Sequence, residues 1–162
     1  MSADAAAREG HVTSLQVSDG GVPKSSVPEA VVDASGLAGD RQEHLKFHGG
    51  PDRAVCLFSL DVQERLRREG HPIEPGSTGE NVTVAGLHWP AVVPGAELRF
   101  SGGVRLQVTG YAKPCRQIRA AFDGGDFERI GQPQHPGESR VYARVLAGGV
   151  LRPGDGVELV GS

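Results

Sequence analysis

Cysteine is scarce in this chain of 162 residues, which carries only Cys56 and Cys115. Two cysteines in such different settings do not make a disulfide framework, which points to a reducing cytoplasm. Aromatic residues amount to 5% of the chain, with one tryptophan and two tyrosines, so a core has to be built mainly from aliphatic side chains. A surplus of charge of one sign is missing too. The net charge is −3 and the isoelectric point about 6.1, which gives nucleic-acid binding no electrostatic support. No run of residues has the length and apolarity needed to cross a bilayer. The start, Met1-Ser2-Ala3-Asp4-Ala5, lacks the basic segment and apolar stretch of a secretory signal. A soluble, cytoplasmic protein with neither nucleic acid nor membrane as partner is expected.

What the chain has in quantity is glycine and proline, 24 and 11 residues. That density of chain-turning residues favours many short strands over long helices. The fold class expected is mainly β, a β-rich α+β arrangement, with residues 1–10 as a flexible tail and 11–162 as a single domain. Alternating or compact apolar runs predict strands over 12–18, 27–33, 53–58, 82–85, 96–100, 104–109, 141–146 and 157–160. Ser101-Gly102-Gly103 is a hairpin signal between two of them. One helix is expected over 61–69, with Asp61 and Glu64 at the spacing of a capping box and Gly70 just past its end. A short helix is expected after Cys115, reaching Phe122.

Cys115 sits in Lys113-Pro114-Cys115-Arg116, with Arg119 three residues on. Cations beside a sulfur favour the thiolate and hold an anion next to it, and a thiolate is a strong ligand for a soft or high-valent metal. Cys56, in Ala54-Val55-Cys56-Leu57-Phe58, has no such company and reads as packing. The plain alternative for Cys115 is a small buried hydrophobe as well.

Three further segments carry possible chemistry. In Phe47-His48-Gly49-Gly50-Pro51-Asp52-Arg53, paired glycines allow close backbone approach to an anion, flanked by His48 and Arg53. A tight turn before a strand explains the same residues. His44 and His48 lack a third ligand, so a zinc site is not expected. In Gly76-Ser77-Thr78-Gly79-Glu80-Asn81, the polar side chains offer donors and acceptors to a heterocycle, or simply cap a turn. That loop has neither the length nor the lysine of a phosphate-binding P-loop. In Arg140-Val141-Tyr142-Ala143-Arg144-Val145, strand alternation turns Arg144 away from the face of Val141 and Val145, toward a cleft or an open edge. No serine nucleophile elbow and no carboxylate pair is present.

Taken together these segments resemble the MOSC domain family, named for the C-terminal domain of molybdenum cofactor sulfurases. The matching pieces are Gly39-Asp40, His48-Gly49-Gly50 with Arg53-Ala54-Val55, Gly79-Glu80-Asn81 with Val84 and Gly86, Pro114-Cys115, and Tyr142-Ala143-Arg144-Val145-Leu146 with Gly149 and Gly154-Asp155. They span about Leu37 to Val160, and the chain is most similar to small stand-alone bacterial members. The resemblance implies a closed β-barrel with a few short helices. It also implies a molybdopterin-type molybdenum cofactor, with Cys115 as the protein ligand to the metal. His48, Gly49, Gly50, Arg53, Thr78, Gly79, Glu80, Asn81, Arg116 and Arg144 would then line the pterin and phosphate side. Many relatives carry a Pro-Arg pair shortly before the cysteine, where this chain has Gly110-Tyr111-Ala112-Lys113. Lys113 would replace that fork with a point charge.

The activity implied is reduction of N-hydroxylated small molecules to the N–H compound by oxygen-atom transfer, with His48, or a water beside Lys113, supplying a proton. Electrons would come from a separate reductase or small redox protein, since no flavin or haem motif is visible. Two other readings stay open: a cofactor carrier without turnover, and a sulfur-transfer domain working through a Cys115 persulfide. Pyridoxal phosphate is not expected, because Lys24, Lys46 and Lys113 lack an aspartate–lysine arrangement suited to it.

Overall fold

The computed structural model describes residues 7–40 and 50–161. The strands are β1 (Glu9–Val17), β2 (Ser25–Val27), β3 (Ala30–Asp33), β4 (Gly36–Leu37), β5 (Val55–Ser59), β6 (Val82–Ala85), β7 (Glu97–Phe100), β8 (Arg105–Tyr111), β9 (Val141–Ala147), β10 (Gly149–Leu151) and β11 (Gly156–Val160). One α-helix, α1 (Leu60–Arg68), follows β5. Seven strands run in the order β11-β7-β8-β9-β5-β6-β1, and β11 pairs back onto β1 to close a barrel. Closure leaves no long unpaired edge to recruit another chain. β2 extends from β1, and a small sheet, β10-β3-β4, lies beside the barrel.

All barrel pairings are antiparallel except β5 with β6. Parallel neighbours need a crossover connection, and α1 with the segment after it supplies one. Its start differs from the sequence expectation. Ser59, not Asp61, is the N-cap, and its hydroxyl accepts from the Val62 N–H at 3.2 Å. Asp61 is released to accept from the Gly86 N–H at 2.9 Å, tying the helix start to the end of β6. The helix ends as expected. Gly70 has φ of 103°, its N–H donates to the Arg67 carbonyl, and the His71 N–H reaches back to Leu66, a Schellman ending.

The expected strand over 27–33 is two strands, β2 and β3, in different sheets. Pro28 stands between them and has no N–H to continue a ladder. β10 was not anticipated, and it pairs with β3 rather than with the barrel. The N-terminal strand also begins earlier than expected: Glu9 and Gly10, placed in the flexible tail by sequence, pair with Glu158 and Val157. Between Val12 and Ser14 the β1–β6 register shifts by a bulge, so Val12 and Leu15, three apart, are both fully buried. One contiguous core results, in which Leu15, Leu57, Phe58, Leu98 and Leu106 have no exposure. Each such side chain contributes about 1.5–3 kcal/mol of burial. No described helix is long and apolar enough to cross a membrane.

Candidate functional site

β8 and β9 form the wall of the site. Their register pairs Gln107 with Arg144, Val108 with Ala143, Gly110 with Tyr142 and Tyr111 with Val141, with an irregularity at Thr109. Alternation along β9 buries Val141 and Ala143 and turns Tyr142 and Arg144 to the other face. Over that face lies the short 3₁₀ turn Pro51–Arg53. The Thr109 hydroxyl donates to the Asp52 carbonyl, and Arg144 Nη2 lies 3.1 Å from Asp52 Oδ1. The Arg53 guanidinium carbon stands 5.4 Å from the centre of the Tyr142 ring, a cation–π contact. Between them opens a cleft of about 480 Å³ lined by Asp52, Arg53, Thr109, Tyr111, Tyr142 and Arg144.

The strand β8 leads directly to the thiol. Ala112 donates to the Arg140 carbonyl at 3.0 Å, and Lys113 and Pro114 follow. Cys115 then takes an extended backbone conformation at the start of the 3₁₀ helix Arg116–Ala121. Its carbonyl accepts from the Ile118 N–H at 3.1 Å, and buried Ile118 and Ala121 anchor the turn. The Cys115 thiol is free and half-buried, whereas Cys56 is buried. Burial pushes the Cys56 thiol up to about 11, so it stays protonated at neutral pH. The expected cationic company of Cys115 is present but spread out. Lys113 and Arg116 are exposed, and Arg119 donates to the Arg116 carbonyl at 2.9 Å.

Tyr142 lines the cleft and is half-buried there. Burial is the main reason its phenol is pushed up to about 12, with the sulfurs of Cys56 and Cys115 acting in the same direction and Arg140 and Arg53 against it. The neutral phenol is therefore favoured by folding. Its stabilising contribution is complete below about pH 10, the ordinary tyrosine value, and is lost as pH rises from there toward about 12. Subtracting a Tyr142→Phe titration from the wild type should isolate a tyrosinate absorbance with a midpoint near 12. A midpoint at the ordinary value would mean that the ring is solvated.

The loop at 78–81 is placed differently from the cleft residues. Thr78, Glu80 and Asn81 have almost no exposure. Glu80 accepts from Gln63 Nε2 at 2.6 Å, Thr78 Oγ1 at 2.8 Å and Thr83 Oγ1 at 3.3 Å. Asn81 Oδ1 accepts from the Cys56 N–H at 3.0 Å, and its amide donates to the Gln16 carbonyl and to Asp40. These side chains tie β1, β5, β6 and α1 together and do not line the cleft. The link to the site is Arg140, itself buried, which donates to the Thr78 carbonyl at 2.7 Å and precedes Tyr142 by two residues. Gly79 has φ of 83°, and an added Cβ would meet Val22 at 2.9 Å. Gly50 has φ of 96° ahead of Pro51, so it serves the bend that delivers Asp52 and Arg53. His48 and Gly49 lie outside the described residues.

Sequence reasoning thus singled out Arg53 and Arg144, which share one cleft, and Cys115, which lies on the loop after β8, and passed over Asp52, Thr109, Tyr111, Tyr142 and Arg140. The signal for Tyr142 was available: it shares the period-two face of Arg144. Nothing local marks Arg140 as buried.

A seven-stranded closed barrel, with a cleft bearing two arginines on its β8–β9 wall and a free thiol on the loop that follows β8, defines the class. The chain belongs to the MOSC domain family, whose profile matches residues 44–158. It is 36% identical over 126 residues to protein YflK of Bacillus subtilis, covering 75% of this chain and 54% of that one. It is 30% identical over 136 residues to protein YiiM of Escherichia coli, covering 82% and 59%. This chain therefore spans a little over half the length of these two relatives. The crystal structure of Escherichia coli YiiM superposes with a TM-score of 0.70 at 25% identity, over 95% of this chain and 70% of that one. YuaD of Bacillus subtilis shares the fold, with a TM-score of 0.72 at 19% identity over 93% and 95%.

Proposed function

We propose that this chain binds a molybdenum–pterin cofactor through Cys115 and reduces N-hydroxylated compounds to their N–H parents. The observation that carries the reading is the half-buried free thiol of Cys115 on the loop that leaves β8, the strand whose Thr109 and Tyr111 line the cleft of Arg53, Tyr142 and Arg144. Family membership supports it, because MOSC domains are associated with this cofactor. The donor set suits such a group: one thiolate for a metal that brings its own sulfur ligands, and two guanidiniums for an anionic tail. When bound, the cofactor supplies a metal that accepts an oxygen atom and cycles by two electrons.

The remaining work falls to the protein. With the cofactor bound, Cys115 would hold its metal. Arg144 pairs with Asp52 in a setting where both are exposed, so the pair contributes little stability and yields readily to a phosphate. Arg53 is steadied over the Tyr142 ring. In the overall change the N-hydroxy compound takes up two electrons and two protons, its N–O bond breaks, and the N–H compound and one water are released. Tyr142, held neutral in the cleft, a water beside Lys113, and His48 are the candidate proton donors. Electrons come from a separate reductase or small redox protein.

The test is molybdenum analysis of protein from a cofactor-competent host, wild type beside Cys115→Ser, followed by turnover of N-hydroxylated substrates with a chemical reductant. Near-stoichiometric molybdenum in the wild type, its loss in the mutant and turnover that tracks the metal are expected. Metal without turnover on any N-hydroxylated substrate would make the chain a carrier. Absence of both metal and pterin from the wild type would favour the persulfide shuttle.

A further inference from the structure

Arg140 is the charge that the fold has least reason to hold. It is buried, with 6% exposure. Arg65, Arg99, Arg105, Arg129, Arg144 and Arg152 all pair with carboxylates, whereas Arg140 pairs with none among the described residues. Its Nη1 donates to the Thr78 carbonyl at 2.7 Å, and its buried Nε meets no acceptor. Keeping a guanidinium out of water without a counter-charge is costly. A neutral donor would satisfy one carbonyl as well, so packing alone does not call for a positive charge here.

Strand alternation says what that charge faces. The Ala112 N–H donates to the Arg140 carbonyl at 3.0 Å, which carries the β8–β9 ladder one step past the pair Tyr111–Val141. Residues 140, 142 and 144 therefore share one face. Opposite Tyr142 on β5 stands Cys56, and Arg53 lies over the ring. The charged and titratable groups around the phenol are Arg140, Arg53 and the sulfurs of Cys56 and Cys115, with Arg144 and Asp52 further along the cleft. Arg53 and Arg144 line that open cleft, where solvent and any bound anion screen them. Arg140 is sealed from both. Buried Glu80 reaches it only through Thr78, whose hydroxyl donates to Glu80 at 2.8 Å while its carbonyl accepts from Arg140.

We infer that Arg140 is a positioning residue for Tyr142 as proton donor: its sealed, unpaired guanidinium is the standing positive charge that stabilises the phenolate left when Tyr142 gives up its proton. The inference rests on the reductase reading above. The Tyr142 O–H bond breaks, the proton passes to the oxygen leaving the substrate nitrogen, and the phenolate takes a proton back from water afterwards. A charge already in place needs no reorganisation at that moment, and in a water-poor wall it acts more strongly than it would in solvent. The Thr78 carbonyl keeps the guanidinium from turning out to solvent.

Two measurements test this, one of them independent of turnover. Tyr111 and Tyr142 are the chain's two tyrosines, so cofactor-free Tyr111→Phe protein made with difluorotyrosine carries the label at position 142 alone. Fluorine makes a phenol a stronger acid, which brings its titration to a pH at which the fold is intact. Followed by fluorine NMR, Arg140→Met should raise the midpoint by about one unit, and Arg140→Lys, which keeps the charge, should stay close to the parent. Arg140→Met strands no carboxylate, so the folded protein remains available for study. In the molybdenum-loaded enzyme, Arg140→Met should lower kcat about tenfold at unchanged molybdenum content, and Arg140→Lys should restore most of it. A purely structural Arg140 would lower the urea midpoint of unfolding and leave the phenol midpoint where it was. An unmoved phenol midpoint in folded Arg140→Met, or an unchanged kcat, would overturn the inference while leaving the reductase reading intact. A raised midpoint together with a metal-loaded wild type inert toward every N-hydroxylated compound would overturn the reductase reading instead.

Discussion

In the folded, cofactor-free protein, iodoacetamide near pH 8 is expected to alkylate one cysteine, Cys115, and to leave Cys56 unmodified. Alkylation requires a thiolate with access to the reagent. Cys56 has neither: it is buried on β5, and burial pushes its thiol up to about 11, so about one part in a thousand is ionised at about pH 8. Ionisation alone slows it by at least about two orders of magnitude against an ordinary thiol, and occlusion slows it further. Cys115 is half-buried at the head of a surface turn. Mass spectrometry of tryptic fragments reads the result directly. Cys115→Ser should leave the folded protein unreactive until denaturant is added. Equal labelling of both cysteines would mean that the β5 wall opens readily, contrary to its place in the barrel.

The second large effect concerns Glu80. Replacing it with alanine removes the acceptor for Gln63, Thr78 and Thr83 at once. Each buried donor left without a partner costs about 1–3 kcal/mol, and a cavity adds to that. A loss of about 3–5 kcal/mol in urea unfolding is expected, allowing for partial relaxation. Glu80→Gln keeps the shape but presents an amide N–H2 to at least one of those donors, so a smaller loss is expected. The pair also tests a role read from sequence. Were Glu80 a direct cofactor contact, Glu80→Gln would change molybdenum content at nearly unchanged stability. A stability loss with normal molybdenum content in the protein that remains folded would establish its role as holding the elements behind the site.

Much of the barrel was legible along the chain. The strands now numbered β6, β7, β8, β9 and β11 lie within a residue or two of where alternation and glycine turns put them, because period-two burial is a local signal. The helix was legible for the same reason, although Ser59 took the cap from Asp61. An N-cap is decided by backbone geometry at the strand–helix junction, and Asp61 is drawn off by Gly86, twenty-five residues away in sequence. β10 was missed because three residues between glycines and a proline carry too little pattern, and it exists only because β3 is there to pair with it.

The site divides along the same line. The contrast between Cys115 and Cys56 follows from their immediate neighbours, cations and a proline for one, an apolar strand for the other. So does the outward turn of Arg144, which strand alternation requires. What tertiary structure decided was company. Asp52 and Arg53 meet Thr109, Tyr142 and Arg144 only because β5 follows that turn and pairs with β9. Polar residues beside glycines, such as Thr78, Glu80 and Asn81, suit a ligand loop and a buried hydrogen-bond cluster equally well in one dimension. Packing of α1 and β1 over them assigned these three to the interior, because a buried carboxylate or amide is tolerated only where partners surround it. The chain alone thus determined strand pattern and which of the two thiols is the more accessible. Pairing of β9 with β5 and β8, long-range contacts with no local signature, determined which side chains meet at the cleft.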